Sequence, residues 1–482
     1  MPQESESEKF HKRWVAAGER IAARRLALLP PPPAPALPPI RQDMVLGRDI
    51  HSKLEVVLYP DERFRHLFCA GITGSGKTNF LLFQVLQDLR AGRGMVVFDP
   101  LGNFADAILY HLPPERADDT YLLDLDDVDY PFGVNVFDSR LAAGEINAVF
   151  QKVWGGGWGP LIDTWLSVIH KTFQQSGGGR MTDIPRLIAD PAYRLRRTGV
   201  MADEFARAYW EQATGRDGTI AATEIGSTFR RIGKFLMNPV LANIVGQETT
   251  IDFAEIIGRG ECLIVKLPTM QDAETARIVG TVLYQLFVAA AGRRRDRTPF
   301  YFYADEFQEI ATSDIRRIVN LLRQYKVGAA FATQQLINIP DEEVRKVVMG
   351  TGTRLVFEVT GTDASAMARG IGRRPSGDRY DDEGLLLTPT RAEVADELTR
   401  LTEIGGVGTA VAKTPHAVAT IRPPLIQTPD PVPHTRLRGH IVSRSRERFC
   451  RLRFAVEEER RERARRDDAM VLPDQPPPTR GF

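Results

Sequence analysis

The amino-acid sequence predicts an α/β protein with a mainly parallel sheet, into which an all-helical subdomain is inserted. Three observations lead to this prediction. Residues 65–99 read as strand, glycine-rich turn, helix and strand; an apolar run at 300–304 ends in two acids; and residues 139–248 have helical periodicity without a convincing strand. With 482 residues and 43% hydrophobic content, the chain is long enough for one large core with satellites.

The first motif is a glycine-rich loop between a buried strand and a helix. The apolar run Leu67–Ala70 leads into GITGSGKT at 71–78, which matches G-x-x-x-x-G-K-[ST] at every fixed position. The backbone N–H groups of such a loop surround phosphate oxygens, while its lysine reaches the β- and γ-phosphates and its threonine holds Mg²⁺. A flexible turn could spell the same pattern, but the flanking strand and helix favour a site for ATP and Mg²⁺. The residues predicted to form it are Gly71, Thr73, Gly74, Ser75, Gly76, Lys77, Thr78 and Asn79.

The second motif places two acids and an amide at the ends of later strands. The run FYFYA at 300–304 is followed by Asp305 and Glu306, and the buried run at 328–333 is followed by Gln334. Downstream of a complete P-loop, this predicts Asp305 as the Mg²⁺ acid, Glu306 as the base that activates water, and Gln334 as the amide that orients it. Asp99 ends the strand at 94–99, where it could face the same crevice or cap the next helix.

The remaining core elements follow from apolar runs bounded by turn residues. Short strands are expected near 44–50, 54–60, 120–125, 262–267 and 353–359, with a closing hairpin from 408–412 and 418–421. Asp363 is expected to cap the helix after 353–359. The apolar stretch 278–292 is shorter than the roughly 20 residues that span a bilayer, so it reads as a buried helix. Trp154 and Trp158 could stack a base or pack in the core.

Composition divides the chain into five regions. We expect an N-terminal helix and proline-rich arm at 1–43, the first core segment at 44–138, the helical insertion at 139–248, the second core segment at 249–425, and a charged, partly disordered tail at 426–482. The arm could be disordered or could dock a partner. No signal peptide is visible, and the three separated cysteines show no metal or disulfide spacing.

The order of the motifs resembles that of the TraG/TraD-type coupling ATPases, conjugation motors of the FtsK/HerA group. The matching segments include HLFCAGITGSGKTNFLL, VVFDPLGN, GVNVFD, VWGGGWGP, FYADEFQEI, RQYKVGAAFATQQL and GTDASAMA, over roughly 44–425. The resemblance implies a RecA-like P-loop NTPase core, a hexameric ring and ATP-driven movement of DNA through its channel.

The resemblance also assigns roles to single residues. Lys77 and Thr78 match the P-loop pair, Asp305 and Glu306 the Walker B acid and catalytic glutamate, and Gln334 the sensor glutamine. Arg323 falls where the family has an arginine finger, although a solvated charge at a helix end explains it equally well. Arg354 is a second candidate. Unlike the membrane-anchored members, this sequence shows no transmembrane segment of its own.

These observations lead to one main functional expectation and two alternatives. We expect an ATPase that translocates DNA as the coupling motor of conjugative transfer, with sequence-independent DNA, a homo-hexamer, and a relaxase or type IV secretion components as partners. A cytoplasmic location, peripheral at the inner membrane through partners, is expected. Because the net charge is only +1, a local surface of Lys and Arg must meet the DNA, and polar loops after core strands, such as 268–277, are its candidate lining. The alternatives are a HerA/FtsK-like translocase for genome handling or phage defence, and a nucleotide-dependent DNA-binding scaffold.

Overall fold

The computed structural model describes residues 39–155, 158–268, 272–312, 315–339 and 342–469. The helix and spacer predicted within residues 1–38 therefore lie outside the described residues, as does the end of the tail from residue 470. The chain divides into two compact units. The first contains the described residues up to Leu125, Phe253–Gly280 and Phe287–Ser445; the second contains Asp126–Asp252, Thr281–Leu286 and the described residues from Arg446.

The first unit contains a sheet of eleven strands. In chain order the strands are β1 (Met44–Asp49), β2 (Glu55–Leu58), β3 (Leu67–Ala70), β4 (Gly94–Asp99), β5 (Thr120–Asp124), β6 (Cys262–Lys266), β7 (Phe300–Ala304), β8 (Val327–Thr333), β9 (Thr353–Val356), β10 (Ala410–Lys413) and β11 (Val418–Arg422). Their order across the sheet is β2-β1-β11-β10-β9-β3-β8-β7-β4-β6-β5.

The sheet is parallel from β9 to β5 and antiparallel from β2 to β9. The central strands β3, β4, β7 and β8 are buried along their whole length, as apolar runs in a covered parallel sheet should be. The predicted α/β class with a mainly parallel sheet is confirmed. The predicted closing hairpin is also present, as β10 and β11.

Helices connect the parallel strands. Those that lie wholly or partly in the first unit are α1 (Lys77–Arg90), α2 (Asn103–His111), α10 (Phe253–Arg259), α11 (Ala273–Arg293), α12 (Ile315–Gln324), α13 (Glu342–Met349), α14 (Gly361–Met367), α15 (Arg391–Leu398), α16 (Leu401–Gly405) and α17 (Arg436–Phe449). Helix α11 extends the apolar stretch 278–292 to 21 residues, which is long and apolar enough to cross a membrane; 78% of its most apolar part is buried inside the protein.

The second unit is helical. Its helices are α3 (Ala143–Trp154), α4 (Pro160–Gln175), α5 (Ile184–Ala189), α6 (Pro191–Thr198), α7 (Glu204–Ala213), α8 (Ala222–Leu236), α9 (Pro239–Val245) and α18 (Arg453–Ala469). Trp165 and Trp210 form its centre, with ring centroids 4.9 Å apart. Both indole N–H groups are satisfied, by Glu224 O at 2.9 Å and Thr172 Oγ1 at 2.8 Å. This pairing lets two large amphipathic rings be buried without an unsatisfied donor.

The structure bears on two expectations. The charged tail forms the helices α17 and α18, and each of them buries an apolar side chain, Ile441 in α17 and Val456 in α18. Trp154 packs within 4.8 Å of Phe150 and 6.0 Å of Phe235, measured between ring centroids, which supports packing in the helical unit rather than an open stacking surface.

Candidate functional site

The predicted site residues from three strands meet at one edge of the sheet. The P-loop follows β3, Gln334 follows β8 and Asp305 follows β7, and these three strands are neighbours in the order β3-β8-β7. Because all three are parallel, their carboxyl ends lie at the same edge. This is the edge at which open α/β sheets bind ligands.

Glycine at two P-loop positions is required by the local geometry. Gly76 has φ +111°, a conformation that L side chains rarely adopt, and a Cβ there would lie 2.9 Å from the Gly408 Cα. A Cβ on Gly71 would lie 2.6 Å from the Phe357 Cβ. Ser75 folds its hydroxyl back to donate to Ile72 O at 2.7 Å. The shape of the loop is therefore determined by its backbone conformation and by a hydrogen bond within the loop.

Lys77 is the first residue of α1 and is 5% exposed. Its ammonium donates to Gly71 O at 2.7 Å and to Ile72 O at 3.0 Å, so the charge is held inside the curve of the loop. A phosphate group entering this curve would meet the ammonium and the positive end of the α1 dipole together.

Thr78 and Asp305 come together although 227 positions separate them in the sequence. Thr78 Oγ1 donates to Asp305 Oδ2 at 2.8 Å. The hydroxyl and the carboxylate are the two protein groups that P-loop NTPases use to hold Mg²⁺. Within the described residues, no three His, Cys, Asp or Glu side chains form a metal site of their own. This fits Mg²⁺, which prefers one or two protein ligands together with water and substrate phosphates.

The electrostatics around Asp305 favour a cation. Burial, followed by the negative charge of Asp99, raises the pKa of Asp305 from 3.8 to about 6, against the opposing hydrogen bond from Thr78 and the charge of Lys77. Glu306 adds to this negative field. A divalent cation here would favour the ionised carboxylate, because opposite charge lowers a carboxyl pKa.

Asp99 both caps the next helix and shapes the field of the site. Its Oδ2 accepts from the Ala105 N–H at 2.7 Å and its Oδ1 from the Leu101 N–H at 3.0 Å. Burial raises the pKa of this carboxyl despite these hydrogen bonds. The two interpretations of Asp99 are therefore compatible.

Glu306 lies next to Asp305 in a strained backbone conformation. Its φ is +43° and its side chain is buried. Its Oε2 accepts from Gln308 Nε2 at 2.7 Å. A buried, oriented carboxylate beside the Mg²⁺ ligands can accept a proton from an attacking water. Gln308 was not among the predicted site residues, and its only signal in the sequence is the spacing of two residues from Glu306.

Gln334 follows β8 directly and is half-buried. The segment after it is fixed by Asp363, whose Oδ2 accepts from the Leu336 N–H at 2.7 Å. The prediction that Asp363 caps α14 is wrong, because that helix begins after Thr360 and the carboxylate reaches the β8 loop instead.

Arg323 lies at the opposite edge of the sheet from the P-loop of its own chain. It is exposed near the end of α12, just before β8 begins. The pKa of His66, which precedes β3, is lowered to about 4 mainly by burial, and the charge of Arg323 adds to this. Arg354 is half-buried on β9, where Nη1 donates to Met349 O at 3.4 Å. The structure does not bring either arginine to the nucleotide site of the same chain.

Asn79 differs from the other predicted site residues. Its Nδ2 donates to Pro424 O at 2.9 Å and its Oδ1 accepts from the Ile426 N–H at 2.8 Å. The side chain thus anchors the segment after β11 to α1, which leaves only its backbone to face a nucleotide.

Solved structures with a similar fold include proteins of bacterial conjugation. The conjugative coupling protein TrwBdeltaN70, in a trigonal form with sulphate, is 14% identical, covers 82% of this chain and 96% of its own, and has a TM-score of 0.57. TrwB in complex with ADP and Mg²⁺ is 14% identical, with 77% and 86% coverage and a TM-score of 0.51. VirB4 of Thermoanaerobacter pseudethanolicus is 11% identical, with 80% and 97% coverage and a TM-score of 0.50.

No protein-family model and no curated protein sequence matches the chain. At these low identities the structural similarity establishes the fold. The chain has the RecA-like P-loop fold of the conjugative coupling ATPases, the class that its motifs resemble.

Proposed function

We propose that the protein is an ATPase that translocates DNA, the coupling motor of conjugative transfer. The observation that carries this proposal is the hydrogen bond from Thr78 to Asp305 at 2.8 Å, which joins a complete P-loop to a Walker B acid. Similarity to TrwB, which has been solved with ADP and Mg²⁺, and to VirB4 supports the proposal. The buried Glu306 beside this pair favours turnover over a scaffold that only binds nucleotide.

Each residue has a distinct proposed role. The P-loop amides and Lys77 bind and orient the phosphates, and Thr78 and Asp305 hold Mg²⁺, which neutralises charge on the transferred phosphoryl group. Glu306 takes the proton of the attacking water, and Gln334 orients that water. Residues 139–248 are proposed to act as an inserted subdomain of the core formed by 44–138 and 249–425.

Substitutions at Lys77 and Glu306 should separate ATP binding from hydrolysis. Lys77→Ala should abolish ATP binding, because the ammonium is the one cation inside the loop curve among the described residues. Glu306→Gln should keep ATP affinity and reduce kcat by about 10²-fold or more, since it removes only the proton acceptor. ATP binding by calorimetry and phosphate release would check both. The exposed Glu403→Gln is the control and should behave as wild type. Normal turnover in Glu306→Gln would contradict the assignment.

Binding of DNA should depend on salt and not on sequence. With a net charge of +1, affinity must come from a local set of Lys and Arg contacts to phosphates, each of which releases counterions. The predicted 268–277 loop is corrected by the structure, because residues 273–277 belong to α11. Residues 269–271 lie outside the described residues, and Arg277 is paired with Glu309 at 2.7 Å. We expect affinity for two unrelated sequences to fall equally, by about tenfold or more, between 50 and 200 mM salt. An affinity unchanged over this range would rule out the proposed contacts.

A further inference from the structure

The helical unit contains an open cavity of about 530 Å³. Its walls come from the short helix Met181–Asp183, from α5 and α6, from the α8–α9 junction and from α18. This volume lies within the range of about 300–1,000 Å³ that is typical of small-molecule sites. All of its lining residues belong to the helical unit, so it is separate from the nucleotide site described above.

The charged lining of this cavity is unbalanced. Four guanidinium groups line it against two carboxylates, and the groups are Arg186, Arg460, Arg461, Arg463, Asp183 and Glu457. Arg186 is also paired with Asp190, which lies outside the lining, at 3.3 Å, so the positive groups exceed the negative ones by one. Arginine forks bind phosphate and carboxylate oxygens in a bidentate manner, so this lining favours an anionic ligand.

Three of the arginines come from α18 and are held in different ways. Arg460 Nη1 donates to Asn243 Oδ1 at 2.9 Å, and Arg463 Nη2 donates to Asp183 Oδ1 at 3.0 Å. Arg463 Nη1 is buried and has no hydrogen-bond acceptor in the part of the chain that the structure describes. Arg461 is exposed, and its contact with Glu457 is long, with 3.8 Å between Nη2 and Oε2. Donor capacity thus remains on guanidinium groups that the fold already positions.

Burial lowers the pKa of Arg460, which means that the surrounding protein destabilises its charged form. An anion placed beside the guanidinium would offset this desolvation. An anion would likewise give an acceptor to Arg463 Nη1, which is buried without one, and burial of an unsatisfied donor is unfavourable.

One side of the cavity is apolar. Leu236, Met237 and Pro239 lie at the α8–α9 junction, and Met237 is 85% exposed. A flexible methionine at a binding surface adapts to flat or irregular apolar groups. The cavity therefore offers a cationic wall and an apolar wall to one ligand.

We propose that this cavity binds a nucleoside phosphate, with the phosphate on the arginines of α18 and the base against Met237. A base and a phosphate are present both in a free nucleotide and in each nucleotide of a single strand, so either could be the source of this ligand. This site lies outside the P-loop; for a free nucleotide the inference goes beyond the proposed function, and for a strand it rests on the DNA binding proposed above.

Calorimetry on the full chain carrying Lys77→Ala, in which P-loop binding is removed, would test the proposal. The probes are inorganic pyrophosphate, dAMP and a short oligothymidylate. We expect dAMP or the oligothymidylate to bind at least about tenfold more tightly than pyrophosphate, since the base adds apolar contact. Binding of dAMP would indicate a free nucleotide as the ligand, and binding of the oligothymidylate alone a strand.

Matched substitutions on α18 complete the test. Arg460→Met and Arg463→Met should each weaken the tighter probe by about tenfold or more, because each removes charge-assisted hydrogen bonds. Arg465→Met changes the same charge on the same helix outside the cavity and should leave affinity within about twofold. If Arg463→Met does not fold, the exposed Arg461→Met replaces it. Equal loss in Arg465→Met, affinity for dAMP and the oligothymidylate no better than for pyrophosphate, or no binding of any probe would overturn the proposal.

Discussion

Asp305 is the residue at which burial and function conflict most directly. The carboxylate is 3% exposed and close to Asp99 and Glu306, and its pKa is raised to about 6. The next residue, Glu306, has a strained backbone conformation with φ +43°. The free-energy costs of a buried carboxylate and of a strained backbone persist where the surrounding structure fixes the geometry, and they concentrate at functional sites.

The raised pKa of Asp305 predicts an unusual dependence of stability on pH. Between pH 3.8 and about 6 the folded state binds more protons at this group than the unfolded state does. Stability therefore falls as pH rises through this window, and the loss is complete above pH 6. At pH 7, without Mg²⁺ or nucleotide, Asp305→Asn should be more stable than wild type by up to about 3 kcal/mol.

Thermal unfolding in the presence of EDTA would measure this difference at pH 7 and pH 5. The advantage of Asp305→Asn should shrink at pH 5, where the wild-type carboxyl is mostly protonated. The exposed Asp61→Asn serves as the control and should not change the melting temperature at either pH. An Asp305→Asn protein that is less stable at pH 7 would show that the carboxylate is stabilised by its surroundings.

Most residues of the nucleotide site could be predicted because their signals are local. The P-loop and the acids after β7 are short motifs at strand ends, and parallel pairing brings those ends together. Gln308, which holds Glu306, and Asp363, which fixes the Leu336 loop, could not be predicted. Gln308 lies only two residues from Glu306 but belongs to no motif, and the contact between Asp363 and Leu336 spans 27 positions, so neither hydrogen bond has a periodic signal in the sequence.

At the level of elements, a buried cluster joins α1 to β7 behind the site. Asp88 is fully buried and accepts from Arg63 Nη2 at 2.6 Å, from Arg93 Nη1 at 2.8 Å and from the Tyr303 hydroxyl at 2.7 Å. The two arginines hold the pKa of this carboxyl below its ordinary value in spite of burial. The helix that carries Lys77 is thereby tied to the strand that carries Asp305.

Removal of Asp88 should be strongly destabilising. Asp88→Ala leaves Arg63 buried without its counter-charge, which typically costs about 3–5 kcal/mol. Urea unfolding followed by circular dichroism would measure the loss. Asp61→Ala, which breaks an exposed pair with Lys326 at 3.0 Å, is the matched control and should have little effect. A loss no larger than that of the control would mean that solvent reaches Arg63 in the variant.

The strands themselves were predictable, whereas the cluster was not. The run of β7, and that of β4 up to Phe98, has no charged residue and is buried throughout, which is the signature of a strand covered on both faces. The Asp88–Tyr303 contact spans 215 positions. In the sequence, Asp88 is only a polar residue within a helix. The partners that compensate for its burial are identified only by the folded structure.

At the scale of the whole molecule, the position of Arg323 bears on the predicted ring. The residue is exposed at the edge of the sheet opposite its own P-loop. His66 links this edge to the P-loop strand, because its imidazole lies 2.9 Å from Val319 O on α12 and its Nδ1 accepts from the Ala329 N–H at 3.2 Å. If Arg323 contributes to hydrolysis, it must do so in the site of a neighbouring chain. A head-to-tail ring supplies one such arginine to every site.

A mixing experiment tests this assembly. Arg323→Ala should keep ATP affinity and reduce turnover by about 10³-fold, the lower end of the effect of an arginine finger in GTPases. Arg323→Ala and Glu306→Gln are each deficient alone, but a mixed ring contains sites that combine an intact Glu306 with a neighbour's intact Arg323. Mixing the two proteins should therefore restore part of the activity, and wild-type turnover per chain should rise with protein concentration. Arg216→Ala, an exposed arginine of the helical unit, should hydrolyse normally. Full activity of Arg323→Ala, or of the wild type as a dilute monomer, would exclude the shared site and make Arg354 the residue to test.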